Sequence, residues 1–154
     1  MASGEKTVVQ NRKAFHDYAI EDRFEAGVVL KGSEVKSLRE GRVHIREAYA
    51  SVRDGEAWIS GMHINPYSSA STHETLDPVR TRKLLLRGEE LLKIHQLTAE
   101  KGYTLVPLRV YFVHGLAKVE LGLGRGKKSH DRRRDIAARE ASREVDRALR
   151  RSGR

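Results

Sequence analysis

The sequence predicts a mainly β fold with short helices: an antiparallel β-barrel, followed by a basic C-terminal tail that is disordered when the protein is free. Short runs of alternating apolar and polar residues recur up to residue 123, separated by dipeptides typical of tight turns. That many short strands in about 110 residues favour a closed or nearly closed barrel over an open sheet. We therefore predict a flexible N-terminus over residues 1–10, a barrel over 11–124 and a basic tail over 125–154.

Turn signals separate the predicted strands. Asp54-Gly55 lies between two alternating runs and favours a type I′ hairpin, and His114-Gly115 turns the chain between the last two strands. Gly27 predicts a bulge or a close backbone approach in its strand. Pro107 predicts that its strand lies at the edge of a sheet or contains a bulge. Residues 67–78 are predicted to form a long polar loop. The predicted strands cover residues 18–30, 48–53, 56–62, 104–113 and 118–123.

Three segments have the pattern of helices. Asn11 is predicted to cap a first short helical turn, and Ser33 to cap a short helix over residues 34–40. The clearest helix covers residues 88–101, where apolar side chains recur at helical spacing and Gly102 follows as the residue that ends it. The helices are few beside the strands, which keeps the predicted class mainly β.

Composition indicates a charged partner. The formal net charge is +9, which points to nucleic acid or to an anionic membrane surface. The chain has no cysteine, so it has neither a disulfide framework nor a thiolate metal site. Its first residues lack the apolar core of a signal peptide and its apolar runs are short, so we expect a cytoplasmic location without a membrane partner. An OB-like barrel, a fold that commonly carries oligonucleotide sites, is one candidate architecture.

The last fifth of the chain carries most of the net charge. Residues 125–154 hold twelve Lys or Arg and five Asp or Glu, a net charge of +7. Their helical apolar stripe is mostly alanine and too weak to dock firmly, so we expect the tail to become helical only on a polyanion. Three glycines precede or open this tail, and we interpret them as a hinge: Gly122, Gly124 and Gly126.

The sequence lacks the motifs of an enzyme. A Walker A loop would need glycine where Leu121 stands, and serine or threonine where Lys128 stands. The seven histidines show no metal-ligand spacing, no serine sits in a nucleophile elbow, and no carboxylate pair suggests acid–base catalysis. We expect a non-enzymatic protein without metal or cofactor. His130 is set among lysines and arginines, and we expect its ring to contact a base or a phosphate as readily as to face solvent.

A second basic cluster precedes three leucines. In one interpretation Arg82 and Lys83 contact phosphates, and one leucine of Leu84–Leu86 is left exposed to meet a base or a ribose. In the other, a strand simply enters the core after a basic loop. Both interpretations stay open at this point.

Five groups of sequence strings share their order and spacing with one known family. They are N-R-K-A with H-D-Y (11–18), F-E-A-G (24–27), G-S-E-V-K-S-L-R (32–39), D-P with R-T-R-K-L-L-L (77–86), and G-K-K with D-R-R (126–133). In these strings the chain resembles the small protein B family, the SsrA-binding proteins of bacteria. The resemblance covers roughly residues 11 to 139, and its most specific strings are E-V-K-S-L-R and R-K-L-L-L.

The resemblance implies a fold and a function. The fold is an oligonucleotide-binding-type β-barrel with short helices, bound to the tRNA-like domain of transfer-messenger RNA. The function is trans-translation, in which the protein brings that RNA to stalled ribosomes. The tail would enter the vacant decoding site and message channel, becoming helical on the ribosome.

The resemblance also implies site residues. The RNA contacts it implies in the barrel are Asn11, Glu25, Leu85 and Lys118, and less securely Arg82 and Lys83. The ribosome-facing tail residues it implies are Gly126, Lys127, Lys128, His130, Asp131, Arg132 and Arg133. Among them Asp131 is expected to cap the tail helix rather than to bind RNA.

One position departs from the family. Members usually have arginine where this chain has Phe15, which removes a phosphate partner or substitutes a stacking surface. Two other functions are kept beside ribosome rescue: a general basic RNA-binding or ribosomal protein of OB type, and a DNA-compacting protein that uses the tail non-specifically.

Overall fold

The computed structural model describes residues 5–66 and 76–127. Within these residues the strands are β1 Glu5–Gln10, β2 Tyr18–Val28, β3 Val43–His44, β4 Tyr49–Arg53, β5 Glu56–Ser60, β6 His63–Ile64, β7 Arg82–Leu85, β8 Thr104–Val113 and β9 Leu116–Gly126. The helices there are α1 Arg12–Asp17, α2 Gly32–Arg39 and α3 Gly88–Glu100. The predicted mainly β fold with a few short helices is confirmed.

Six strands close into an antiparallel barrel. They follow one another in the order β8-β4-β5-β7-β2-β9, and β9 pairs again with β8. Strand β8 pairs with three strands. One of its edges pairs with β9 along the whole strand, and its other edge is shared by β4 and β1. On that edge Leu105 pairs with β4, and Arg109 to Val113 pair with β1. The predicted barrel is thus a closed one, and β3 and β6 form a separate two-stranded sheet.

The N-terminal segment corrects one prediction. Residues 5–10 were expected to be flexible, but they form β1 along β8, with Glu5 opposite Val113 and Gln10 opposite Arg109. Six residues with little apolar alternation do not indicate a strand by themselves. The strand forms because β8 extends beyond β4 and offers unpaired backbone groups to the incoming segment.

Alternation along the strands builds the core. In β9, Val119, Leu121 and Leu123 point into the barrel and are buried, while Lys118 and Glu120 point outward. Helix α3 contributes its buried Ile94 to the same core. Burial of each large aliphatic side chain contributes roughly 1.5–3 kcal/mol. A second, smaller cluster lies outside the barrel wall beneath α1 and consists of Ala14, Val106 and Leu108, with Tyr18 and Ile20 packed against it.

Gly122 and Gly124 are packing positions inside β9, so these two glycines do not form the predicted hinge. The strand continues to Gly126, which pairs with Tyr18. A Cβ on Gly124 would lie 2.0 Å from the carbonyl oxygen of Ala19, and one on Gly122 would lie 3.0 Å from side-chain carbons of neighbouring residues. Because these positions carry no side chain, the β2 backbone and the side chains of Ile20 and Leu108 can approach β9 closely. The barrel therefore extends beyond its predicted boundary at residue 124.

The predicted turns are confirmed. Asp54 and Gly55 have φ values of 53° and 75°, and His114 and Gly115 have 49° and 78°, as a type I′ hairpin requires. The register shift between Pro107 and Arg109 confirms the bulge predicted at Pro107.

Three other local features lie at positions different from the predicted ones. The bulge of β2 lies between Ile20 and Asp22 rather than at Gly27. Helix α2 starts at Gly32, with Lys31 rather than Ser33 as its N-cap, and the Lys31 N–H donates to Glu34 at 2.8 Å. Helix α3 ends one residue before the predicted bound.

Candidate nucleic-acid interface

One outer face of the barrel brings together three of the predicted contact residues. Gly27 in β2 pairs with Leu85 of β7 on one side and with Lys118 of β9 on the other. Glu25 lies two residues before Gly27 in β2, and residues spaced by two share a face of a strand. We call this surface, defined by Glu25, Leu85, Tyr111 and Lys118, the β2 outer face.

The structure decides which leucine of the R-K-L-L-L string is exposed. Leu84 points into the core and is 2% exposed, whereas Leu85 points outward and is 55% exposed. A Cβ on Gly27 would lie 3.4 Å from the Cβ of Leu85, so the glycine leaves room for the leucine side chain to lie across β2. Lys83 shares the outward side of β7 and forms an exposed ion pair with Glu56 at 3.2 Å. Such exposed pairs contribute little, so Lys83 remains available to another anion.

The carboxylate of Glu25 is held by a buried phenol. The Tyr111 hydroxyl donates a hydrogen bond of 2.6 Å to Glu25 Oε2, and Tyr111 is almost fully buried. Burial raises the pKa of Tyr111 far above its usual value, and the bond to the Glu25 carboxylate raises it further. The phenol therefore stays protonated and acts as a donor. Glu25 itself is exposed, so it presents a fixed acceptor at the surface.

A second carboxylate lies beside Glu25. Glu120 is its cross-strand partner in β9, and like charges in this relationship repel each other. Arg23 and Arg109 compensate this repulsion, each with a guanidinium nitrogen 3.5 Å from a Glu120 oxygen. Arg109 also lies 4.0 Å from the centre of the Tyr111 ring and pairs with Glu5.

None of the sequence-based predictions included this network, which consists of Arg23, Arg109, Tyr111 and Glu120. A signal for it was present in the strand periodicity. Arg109 and Tyr111 stand two residues apart in a strand that was predicted correctly, as do Lys118 and Glu120 in the next. Their register with Glu25 depends on the bulge after Pro107 and could not be counted from the sequence.

Arg82 does not lie on this face, which corrects its prediction as a phosphate contact. Its side chain is 0% exposed and forms an ion pair with Glu34 at 2.6 Å. It also donates to the carbonyl oxygens of Met62 at 2.6 Å and Pro78 at 3.1 Å. Burial alone raises the pKa of Glu34, but hydrogen bonds from Arg80, the Lys31 backbone and Arg82 lower it overall. Arg82 thus connects Glu34 of α2 to the backbone at Met62, just before β6, and at Pro78, before β7.

Asn11 is also committed to the fold. Its Nδ2 donates to the carbonyl oxygens of Ile45 at 3.2 Å and Pro107 at 3.1 Å, and its Oδ1 accepts from the Ala14 N–H at 3.2 Å. The predicted cap is confirmed. With 5% exposure, however, Asn11 positions α1 and does not present its amide to a ligand, which corrects its prediction as a direct RNA contact.

Two of the predicted tail residues belong to the barrel rim. Gly126 ends β9, and the Lys127 N–H donates to the Asp17 carbonyl oxygen at 2.5 Å. The remaining predicted tail residues lie outside the described residues: Lys128, His130, Asp131, Arg132 and Arg133.

Two further properties concern residues 5–66 and 76–127. In these ranges no three His, Asp or Glu side chains are grouped so that they could hold a metal ion. No helix there is long and apolar enough to cross a membrane.

The fold and this face define a class: a small, strongly basic, closed β-barrel whose exposed leucine, lysine and fixed carboxylate share one sheet surface. A family model described as SmpB protein matches residues 8–151. The chain therefore belongs to the SmpB family.

Individual relatives agree with the family match. The SsrA-binding protein of Geobacter metallireducens is 54% identical over 147 residues, covering 96% of this chain and 95% of the relative. That of Geobacillus kaustophilus is 51% identical over 151 residues, 97% of each chain. A solved structure described as "tmRNA-SmpB: a journey to the center of the bacterial ribosome" is 48% identical with a TM-score of 0.65, covering 79% of this chain and 85% of that one.

Proposed function

We propose that the barrel binds the tRNA-like domain of transfer-messenger RNA and delivers it to stalled ribosomes for trans-translation. Membership of the SmpB family supports this function, as does the similarity to a solved tmRNA-SmpB structure on the bacterial ribosome. The relatives are themselves named for SsrA binding. The protein acts as an RNA-binding factor in the cytoplasm and catalyses no reaction.

The observation that carries the proposal is the row Leu85–Gly27–Lys118 with Glu25 beside it. Its chemistry suits a folded RNA whose unstacked bases are accessible. Lys118 meets a phosphate, and Leu85 packs on a base or ribose. Glu25 repels phosphates, so its fixed carboxylate accepts from an N–H group on a base edge. Lys83 extends the basic side of the face along β7.

The tail has a separate task in this proposal. Residues 125–154 carry a net charge of +7 and start at the barrel rim. They occupy the vacant decoding site and message channel of the ribosome, where rRNA phosphates surround them. The residues proposed for this contact are Gly126, Lys127, Lys128, His130, Asp131, Arg132 and Arg133.

The first test removes charges from the β2 outer face. Lys118→Ala and Glu25→Ala should each weaken binding to a transcript of the tRNA-like domain about tenfold or more without unfolding the barrel. Lys118→Ala should keep the wild-type melting temperature, whereas Glu25→Ala should lower it somewhat, because the buried Tyr111 hydroxyl loses its acceptor. Glu100→Ala and Lys101→Ala, at the exposed end of α3, are matched controls and should bind like the wild type. Unchanged affinity in both face variants would remove this surface from the proposal.

The second test separates barrel from tail. The chain should be truncated after Lys127, because β9 runs to Gly126 and Lys127 is bonded to Asp17. The truncated barrel should still bind the tRNA-like transcript, whereas peptide tagging of stalled chains should be lost. A general RNA-binding or ribosomal protein would instead show no tagging activity even at full length. A DNA-compacting protein would bind duplex DNA as tightly as the transcript, with log affinity falling about 0.9 per neutralised phosphate against log salt.

A further inference from the structure

A cleft lies between α1 and the barrel wall, beside the β2 outer face. It has a volume of about 390 Å³ and is lined by Gln10, Phe15, Arg23, Leu108, Arg109 and Glu120. That volume lies within the range of about 300–1,000 Å³ typical of small-ligand sites. Glu120 is the cross-strand neighbour of Glu25, so the cleft is continuous with the face.

The wall of this cleft carries an exposed aromatic ring. Phe15 is 42% exposed, whereas Ala14 beside it in α1 is buried in the outer cluster. The Arg23 guanidinium lies 5.4 Å from the centre of the Phe15 ring and leaves part of that ring open. An exposed aromatic side chain next to a cation is the usual platform for an unstacked base.

The two arginines of the cleft differ in how firmly they are held. Arg109 is 21% exposed and is held by Glu5, Glu120 and the Tyr111 ring. Arg23 is 56% exposed, and its nitrogen lies 3.5 Å from Glu120, a loose pair. Arg23 is therefore the cation able to turn toward a phosphate, and Glu120, still paired with Arg109, provides an acceptor inside the cleft.

We propose that this cleft binds one unstacked nucleotide of the RNA that the β2 outer face holds. The base stacks on Phe15, its phosphate pairs with Arg23, and Glu120 accepts a hydrogen bond from an N–H group on the base. This site rests on the proposed RNA-binding function of the barrel. It adds an aromatic stacking contact to the charged and leucine contacts of the β2 outer face.

Three substitutions at Phe15 test the stacking contact, with a transcript of the tRNA-like domain as probe. Phe15→Ala and Phe15→Leu should weaken binding about tenfold, within the range expected when base stacking is lost. Phe15→Trp should bind at least as tightly as the wild type. Phe15→Leu keeps an apolar side chain on α1, so an unchanged melting temperature would show that lost affinity does not come from lost folding. Wild-type affinity in Phe15→Leu would overturn the site.

Salt dependence separates stacking from charge. In Phe15→Leu the slope of log affinity against log salt should equal that of the wild type, because no ionic contact is removed. In Arg23→Gln the magnitude of this slope should fall by about 0.7, the loss of one phosphate contact to an unstacked nucleotide. An unchanged slope in Arg23→Gln would overturn the phosphate assignment.

The outcome also distinguishes this site from the proposed function. If the wild type binds the transcript and Lys118→Ala weakens it while Phe15→Leu does not, the cleft fails and the β2 outer face stands. If the wild type does not bind the transcript, both fail together.

Discussion

The Tyr111 hydroxyl of β8 donates a 2.6 Å hydrogen bond to the Glu25 carboxylate of β2, and the bond passes over β9, which lies between these two strands. A buried phenol thus fixes an exposed carboxylate in the middle of a surface that otherwise attracts phosphates. The bond explains how Glu25 can lie beside Glu120 and still keep one orientation. It makes Tyr111 a positioning residue for the proposed RNA contact.

Tyr111→Phe should weaken binding of the tRNA-like transcript several-fold, because Glu25 loses its orientation. The substitution keeps the ring on which Arg109 lies, so packing is retained. In a Glu25→Gln background, Tyr111→Phe should have much less effect on affinity, since the oriented carboxylate is already absent. Fully additive losses in this double-mutant cycle would mean that Tyr111 does not act through Glu25.

Because of this hydrogen bond, the free energy of unfolding should change with pH in the alkaline range. The pKa of Tyr111 is raised in the folded protein above its ordinary value of 10.0, so the neutral phenol is favoured by folding. Its contribution is fully present below pH 10 and is lost as the pH rises through the folded pKa. The advantage of the wild type over Tyr111→Phe in unfolding free energy should be about 1–2 kcal/mol at pH 8. Urea unfolding should show this free-energy difference shrinking above pH 10. A difference that stays constant up to about pH 11.5 would contradict the raised pKa of Tyr111.

Glu34→Gln should destabilise the barrel by about 3–5 kcal/mol at pH 7, because it leaves Arg82 charged and buried. The pKa of Glu34 is lowered from its usual 4.5, so its contribution is present above that pH. It is lost as the pH falls through the folded pKa. Urea unfolding should therefore show the difference from wild type closing below pH 4.5. Glu40→Gln, in an exposed pair with Arg42, is the matched control and should change stability by less than about 1 kcal/mol.

Leu85→Ala should lower affinity for the tRNA-like transcript about tenfold, since complete burial of a leucine side chain contributes about 1.5–3 kcal/mol. Leu92→Ala is its matched control, because Leu92 is 59% exposed in α3 and lies outside the β2 outer face. Both variants should keep the wild-type melting temperature. Equal loss of affinity in the two would mean that general surface hydrophobicity, not this face, is being measured.

Gly124→Ala should destabilise the protein by about 3 kcal/mol, the upper end of the usual cost of overpacking, because the new Cβ would lie 2.0 Å from a backbone oxygen of β2. Gly32→Ala, where an added Cβ meets nothing within 4 Å, should change stability by less than about 1 kcal/mol. Thermal melting of both variants checks this. A hinge role for Gly124 would instead leave the melting temperature unchanged and reduce only peptide tagging.

The sequence by itself determined the features that depend on neighbouring residues. Type I′ turns at Asp54-Gly55 and His114-Gly115 follow from backbone conformations that these residue types tolerate. The bulge after Pro107 follows from its missing N–H group. Alternation of apolar and polar residues predicted the strand over residues 118–123 that became part of β9, and sequence strings indicated the family that comparison then confirmed.

Only the tertiary structure decided which polar residues face outward. In β7, Arg82 and Leu84 are buried while Lys83 and Leu85 point out, so a charged residue lies inside and a leucine outside. This order is stable because Glu34, distant in sequence, neutralises Arg82. In the same way β1 exists because β8 has a free edge, and Gly124 is required because β2 passes close by. Desolvation, pairing and steric fit depend on partners far along the chain, and local periodicity contains no record of them.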